Sequence, residues 1–141
     1  MKITRFTFAV LIALFVSFAV QEGYVKEETK AAEQAGNSWL SLVDAEKYSE
    51  AWKGFSTFFK ERMTLEKWET QIKSVRAIFG KFENRKLKNA TPTKTLPGAA
   101  DGDYVVLQYD TAFEKKKSAI ETVTVSLEKD GKWGVINYYI K

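Results

Sequence analysis

The sequence predicts an α+β domain in which about three N-terminal helices pack on one face of a curved, four-stranded antiparallel sheet, a cone-like meander. Three observations predict it. Apolar residues recur at three- and four-residue spacing as far as Gly80 and then alternate to the end of the chain. Asp130 and Gly131 stand between two alternating runs, where a tight hairpin asks for such a pair. All the helical pattern precedes all the strand pattern, which gives helices on one face of an antiparallel sheet and not a parallel α/β arrangement.

The chain opens with Lys2 and Arg5 ahead of an uncharged run over residues 6–20 that ends in the small residues Ser17 and Ala19. This is the three-part pattern of a signal peptide over residues 1–19, with the cut expected after Ala19 and Gly23 as the alternative. The competing reading is a membrane anchor, for which the run falls just short of the roughly 20 residues a spanning helix needs. No cysteine follows, so a lipoprotein is excluded. The expectation is a periplasmic or secreted protein with no membrane span once the signal is removed.

Residues 20–30 are charged and lack an apolar period, so they are expected as a flexible lead-in to a single domain over 31–141. Ala32, Ala35, Trp39, Leu42 and Val43 then line one face of helix one. Asp44 can cap a second helix carrying Tyr48, Ala51, Trp52, Phe55 and Phe59. Thr64 caps a third, with Glu66 in its first turn, a stripe of Leu65, Trp68, Ile72, Val75 and Phe79, and Gly80 as its stop.

A lead strand follows over 81–95, in which Pro92 marks an edge or a bulge. Residues 96–103 form a loop, and three β-rich runs cover 104–113, 119–128 and 132–140. A two-residue turn at Asp130-Gly131 sets Leu127 against Gly134, Val125 against Ile136, Val123 against Tyr138 and Glu121 against Ile140. Matching apolar to apolar in the preceding hairpin pairs Val105 with Val125, Leu107 with Val123 and Tyr109 with Glu121, around a loop at Glu114, Lys115 and Lys116.

Composition limits the chemistry. The 141 residues include no cysteine and no histidine, so disulfides, thiolates and imidazole are unavailable as staples, nucleophiles, bases or metal ligands. Any catalysis must come from carboxylates, Lys, Tyr, Ser or Thr, and no cofactor is expected. The formal charge is +4; removing Lys2 and Arg5 with the signal leaves 20 basic against 18 acidic residues, a net +2. So even a balance describes a solvated surface and not a nucleic-acid footprint.

Several segments together resemble a bacterial exported family, domain of unknown function 4019: Ser38-Trp39-Leu40-Ser41-Leu42-Val43-Asp44, Tyr48 and Trp52, Leu96-Pro97-Gly98, Asp101-Gly102-Asp103-Tyr104-Val105-Val106, and the ending from Asp130-Gly131-Lys132-Trp133 to Tyr138-Tyr139-Ile140. The resemblance covers nearly all of the mature chain and implies no catalytic residues. The order of elements is also similar to nuclear-transport-factor-like and cystatin-like cone folds, which can leave a pocket under the sheet; an architecture does not specify a function.

Glu121 is the anomaly of the register, a carboxylate in line with Val123, Val125 and Leu127 and beside Tyr109. It reads either as a pocket carboxylate with a phenol at hand or as a solvated strand end. Tyr138, with Trp39, Trp52, Phe55, Trp68 and Phe79, reads either as core or as the lining of an apolar ligand site. Trp133 and Tyr139 fall on the opposite sheet face, as a partner or self-association surface or as a partly covered face. Lys115, Lys116 and Lys117 keep a hairpin tip soluble, and Asp101 with Asp103 falls short of a calcium loop. Two functional readings follow. One is an exported non-enzymatic domain that binds a small apolar ligand or a protein partner, a second copy included. The other is a cofactor-free isomerase or hydrolase using Glu121 and Tyr109.

Overall fold

The computed structural model describes the backbone elements from Thr7 onward and side chains from Gly23 onward, so residues 1–6 of the expected signal segment, and every side chain around its expected cut after Ala19, lie outside the described residues. Helices α1 (Thr7–Asp44), α2 (Tyr48–Lys53), α3 (Thr57–Lys60) and α4 (Leu65–Phe79) precede strands β1 (Phe82–Thr93), β2 (Tyr104–Phe113), β3 (Lys116–Leu127) and β4 (Trp133–Ile140). The strands form one antiparallel sheet in the order β1-β2-β3-β4, an open meander with both outer strands as edges. Among the described residues no helix is long and apolar enough to cross a membrane.

Helix α1 continues through residues 21–30, where the sequence predicted a lead-in. Apolar periodicity reports burial, and this stretch has little of it: Tyr24 and Val25 are exposed, and among the described side chains the first buried one is Ala32. Helicity needs only good helix formers, and Gln, Glu and Lys supply six of these ten residues. Farther along, Ala32, Trp39, Leu40 and Val43 bury one face against the sheet, and α1 touches all four strands. Gly36 permits that approach: a Cβ there would come within 2.4 Å of Leu107 Cδ1.

The second predicted helix is two. Asp44 ends α1 instead of capping α2, and Gly54 ends α2 before Ser56, whose hydroxyl accepts from Phe59 N, caps α3. The break is stabilised across the sheet edge, where Val135 N donates to Gly54 O (2.8 Å) and Ser56 N donates to Val135 O (2.8 Å). Helix α4 runs as predicted, with Thr64 accepting from Lys67 N and Gly80 at its end.

In the sheet, Val105 pairs with Val125, Leu107 with Val123 and Tyr109 with Glu121, as the pattern predicted. Bulges in β1 lie at Glu83 and Lys88, not at Pro92, which sits in regular pairing with Val105. The last hairpin also differs. Gly131 has φ +81° while Asp130 does not have positive φ, and Gly131 N donates to Glu128 O. The loop is therefore three residues, a type I turn closed by a left-handed glycine. The extra residue shifts the near end by one: Leu127 faces Trp133 and Val125 faces Val135. A bulge at Ile136 restores the predicted partners Val123 with Tyr138 and Glu121 with Ile140. Trp133, predicted on the outer face, thus lies on the core face and packs against the core. Tyr139 remains outside and exposed.

Candidate functional site

Glu121 belongs to neither sequence reading. Its carboxylate is fully buried, with Oε1 accepting from Arg85 Nε (2.8 Å), Arg85 Nη2 (2.7 Å) and Thr111 Oγ1 (2.7 Å), and Oε2 accepting from Tyr138 Oη (2.6 Å). Three of the four donors converge on Oε1 and one reaches Oε2. Arg85 reaches on to Asp44, donating to Oδ2 at 2.6 Å and Oδ1 at 3.2 Å, and Asp44 Oδ1 also accepts from Arg76 Nη2 at 2.8 Å. Two guanidinium groups and two carboxylates make a neutral network that ties the end of α1 to α4, β1, β3 and β4. Burial opposes the charge on Arg85, but Asp44 and Glu121 outweigh it and hold the guanidinium above its ordinary value.

Tyr109 does not join this network. Its phenol donates to Asn37 Oδ1 at 2.8 Å, which anchors α1 over β2. Burial raises the Tyr109 phenol, and burial followed by the Glu121 charge raises that of Tyr138. Both phenols should therefore stay protonated in the folded domain above the ordinary tyrosine range near ~10. The unfolded chain releases those protons first, so stability is intact below that range and falls as pH rises through it. Urea midpoints measured from pH 8 upward, with phenolate absorbance as the probe, are expected to drop together with a cooperative rise in ionisation. Gradual ionisation of all six tyrosines without loss of structure would contradict it.

The aromatic residues predicted as core or pocket do both. Trp39 is buried among Phe55, Trp68 and Tyr138 at centroid distances of 5.3, 6.1 and 5.1 Å, and its Nε1 donates to Ala51 O. Phe55, Trp68 and Tyr138 also form the floor of a groove of about 310 Å³ between α4 and β4. Phe59, Met63, Ile72, Val75, Tyr139 and Ile140 complete its apolar wall, with Gln71 and Asn137 as its only amides. No charged side chain lines it. Tyr138 and Tyr139, placed by sequence in separate sites, therefore meet at one groove from the two sheet faces, whereas Trp133 lies at the other end of β4.

A second, larger groove of about 730 Å³ opens beside Asp44 and Arg76, walled by Lys73, Lys81, Glu46 and Glu114. Its charges are mixed, and Glu121 does not line it. Lys115 at the hairpin tip caps α4 by donating to Ala77 O, and Lys117 pairs with Glu83. Asp103 is held by Lys94. Among the described residues no group of three or more carboxylates could hold a metal ion.

Asp44, Arg76 and Arg85 were missed as members of a site. Arg76 had a signal, since it falls four residues after Ile72 on the apolar stripe of α4. Arg85 had none, because its inward direction depends on the bulges of β1. In comparisons with known proteins, residues 35–138 match the family model described as Protein of unknown function (DUF4019). No curated protein and no solved structure matches the chain.

Proposed function

The chain belongs to that family of unknown function, and from this premise we propose that it is an exported, non-enzymatic domain, periplasmic or secreted, which binds an apolar group at the groove between α4 and β4. The observation that carries the reading is the uncharged lining, open to solvent at Val75 and Tyr139. Apolar surface left in water at a concave site is the feature most binding sites share. The apolar group belongs to a small ligand or to a protein partner. The N-terminal basic residues and uncharged run support export.

The isomerase or hydrolase reading loses its support. Glu121 is fully buried, is bonded to Arg85, Thr111 and Tyr138 and lines neither groove, and the Tyr109 phenol is committed to Asn37.

The exported chain, purified without detergent, is expected to bind the apolar dye ANS saturably in dilute solution or to carry a co-purified molecule visible by native mass spectrometry. Val75→Asp, which sets a carboxylate on the groove wall, should weaken that binding by about tenfold or more. Absence of both signals, or dye binding indifferent to Val75→Asp, would remove the groove from consideration.

A further inference from the structure

The sheet has two edges, and they differ in how they are guarded. β1 carries Glu83, Lys86, Lys88 and Pro92 and bulges at Glu83 and Lys88, all devices that discourage pairing. β4, reading Trp133-Gly134-Val135-Ile136-Asn137-Tyr138-Tyr139-Ile140, carries no charge and no proline. Its first half is closed from outside by the segment at Phe55, through the bonds that Val135 makes with Gly54 and Ser56. Its second half is open. Lys141 and Ile120 exchange both backbone bonds across β3 and β4, at 2.8 and 3.0 Å. By the two-residue alternation of an antiparallel ladder, Asn137 and Tyr139 likewise point toward β3, so the N–H and C=O groups of Tyr138 and Ile140 point outward.

We propose that two copies of this chain join through residues 137–141 of β4, antiparallel, about a twofold axis at Tyr139. The proposal rests on the groove reading and names its occupant as a second copy. In this register Tyr138 exchanges backbone bonds with Ile140 of the second copy, Tyr139 faces its own counterpart, and Asn137 faces Lys141. The edge is self-complementary in charge: it brings no like charges together, and the one lysine meets a neutral amide. An axis normal to the sheet keeps both core faces on the same side and sets the two α4 helices side by side. Val75, Ile78 and Tyr139 are 36%, 71% and 44% exposed, and they are three of the five large apolar side chains exposed among the described residues. Val75 and Tyr139 both line the groove beside this edge, Val75 from α4 and Tyr139 from β4, and Ile78 lies three residues after Val75 on the same helix. A closed twofold contact also consumes the edge, so the sheet ends in a dimer and not a fibre.

The absence of native cysteine makes the register testable. Residues facing each other at a non-hydrogen-bonded position have Cα atoms about 4.5 Å apart, within the span of a disulfide. Tyr139→Cys in the exported chain is expected to cross-link into a dimer on mild oxidation. Asn137→Cys should not, because its counterpart lies about four residues away, roughly 14 Å along the strand. An equal mixture of Asn137→Cys and Lys141→Cys should yield the mixed dimer. Tyr139 is exposed, so Tyr139→Lys should fold, with an unchanged circular dichroism spectrum, and raise the dimer dissociation constant by about tenfold or more in sedimentation velocity. A monomer at all concentrations, or a dimer that links equally well through Asn137→Cys, overturns the proposal. If the monomer still binds ANS through Val75, the groove reading stands and only the second copy is wrong; if it binds nothing, both fall.

Discussion

Replacing Glu121 by leucine is expected to lower the unfolding free energy by about 3–5 kcal/mol, the range for breaking a buried ion pair from one side. The carboxylate is fully buried and answers four donors. Its removal leaves the Arg85 charge half-paired and strands the Tyr138 and Thr111 hydroxyls in a place water does not reach. Urea unfolding of the wild type and variant measures the loss. Arg85→Met should cost a similar amount, since it strips Glu121 and Asp44 of their shared partner. The double variant should cost clearly less than the two losses added, because each single change pays for the charge the other would have removed. A loss under about 1 kcal/mol for Glu121→Leu, as for a solvated strand end, would mean that the carboxylate reaches water and that the network is not a structural tie.

The fold was legible where a single period ran uninterrupted. The β2–β3 register followed from matching apolar residues alone, because one face of both strands is buried and a slip would have turned every valine to water. It was not legible where tertiary bonds overrode local pattern. The apolar residues from Tyr48 to Phe59 keep a helical period, yet the chain breaks at Gly54 because the backbone there closes the edge of β4. At the last turn two irregularities cancelled. The three-residue loop moved the register by one and the bulge at Ile136 moved it back, so Tyr138 came out right and Trp133 wrong.

The site was half legible for the same reason. Glu121 and Tyr138 were found because both lie beyond the bulge, where the alternation holds. Their meaning was not found, since it depends on Arg85 from an edge strand with two irregular positions and on Asp44 from the end of a helix whose sequence suits a cap equally well. An unexplained carboxylate on an apolar face signals a missing cation, and an arginine on the stripe of α4 was the nearest one in view. The groove itself, by contrast, is built from residues the periodicity assigns to core, and only packing decides which of them the helices fail to cover.

Trp39→Ala is expected to cost about 3–5 kcal/mol, as for other large aromatic truncations in a core. Trp39 is 3% exposed and touches Phe55, Trp68 and Tyr138, and its indole N–H satisfies the Ala51 carbonyl at 3.0 Å. The truncation therefore opens a cavity and removes one of the two donors to Ala51 O, which keeps only Gly54 N. Those three neighbours are also the floor of the groove. A variant that merely destabilises the domain should leave the affinity of the folded fraction intact. Trp39→Ala should weaken ANS binding as well, because the groove floor loses its backing, whereas Leu107→Val, a change to a fully buried residue outside the groove, should lower the urea midpoint alone. If the two variants affect dye binding equally, the floor is not held by Trp39 and the groove draws its shape from α4 and β4 only.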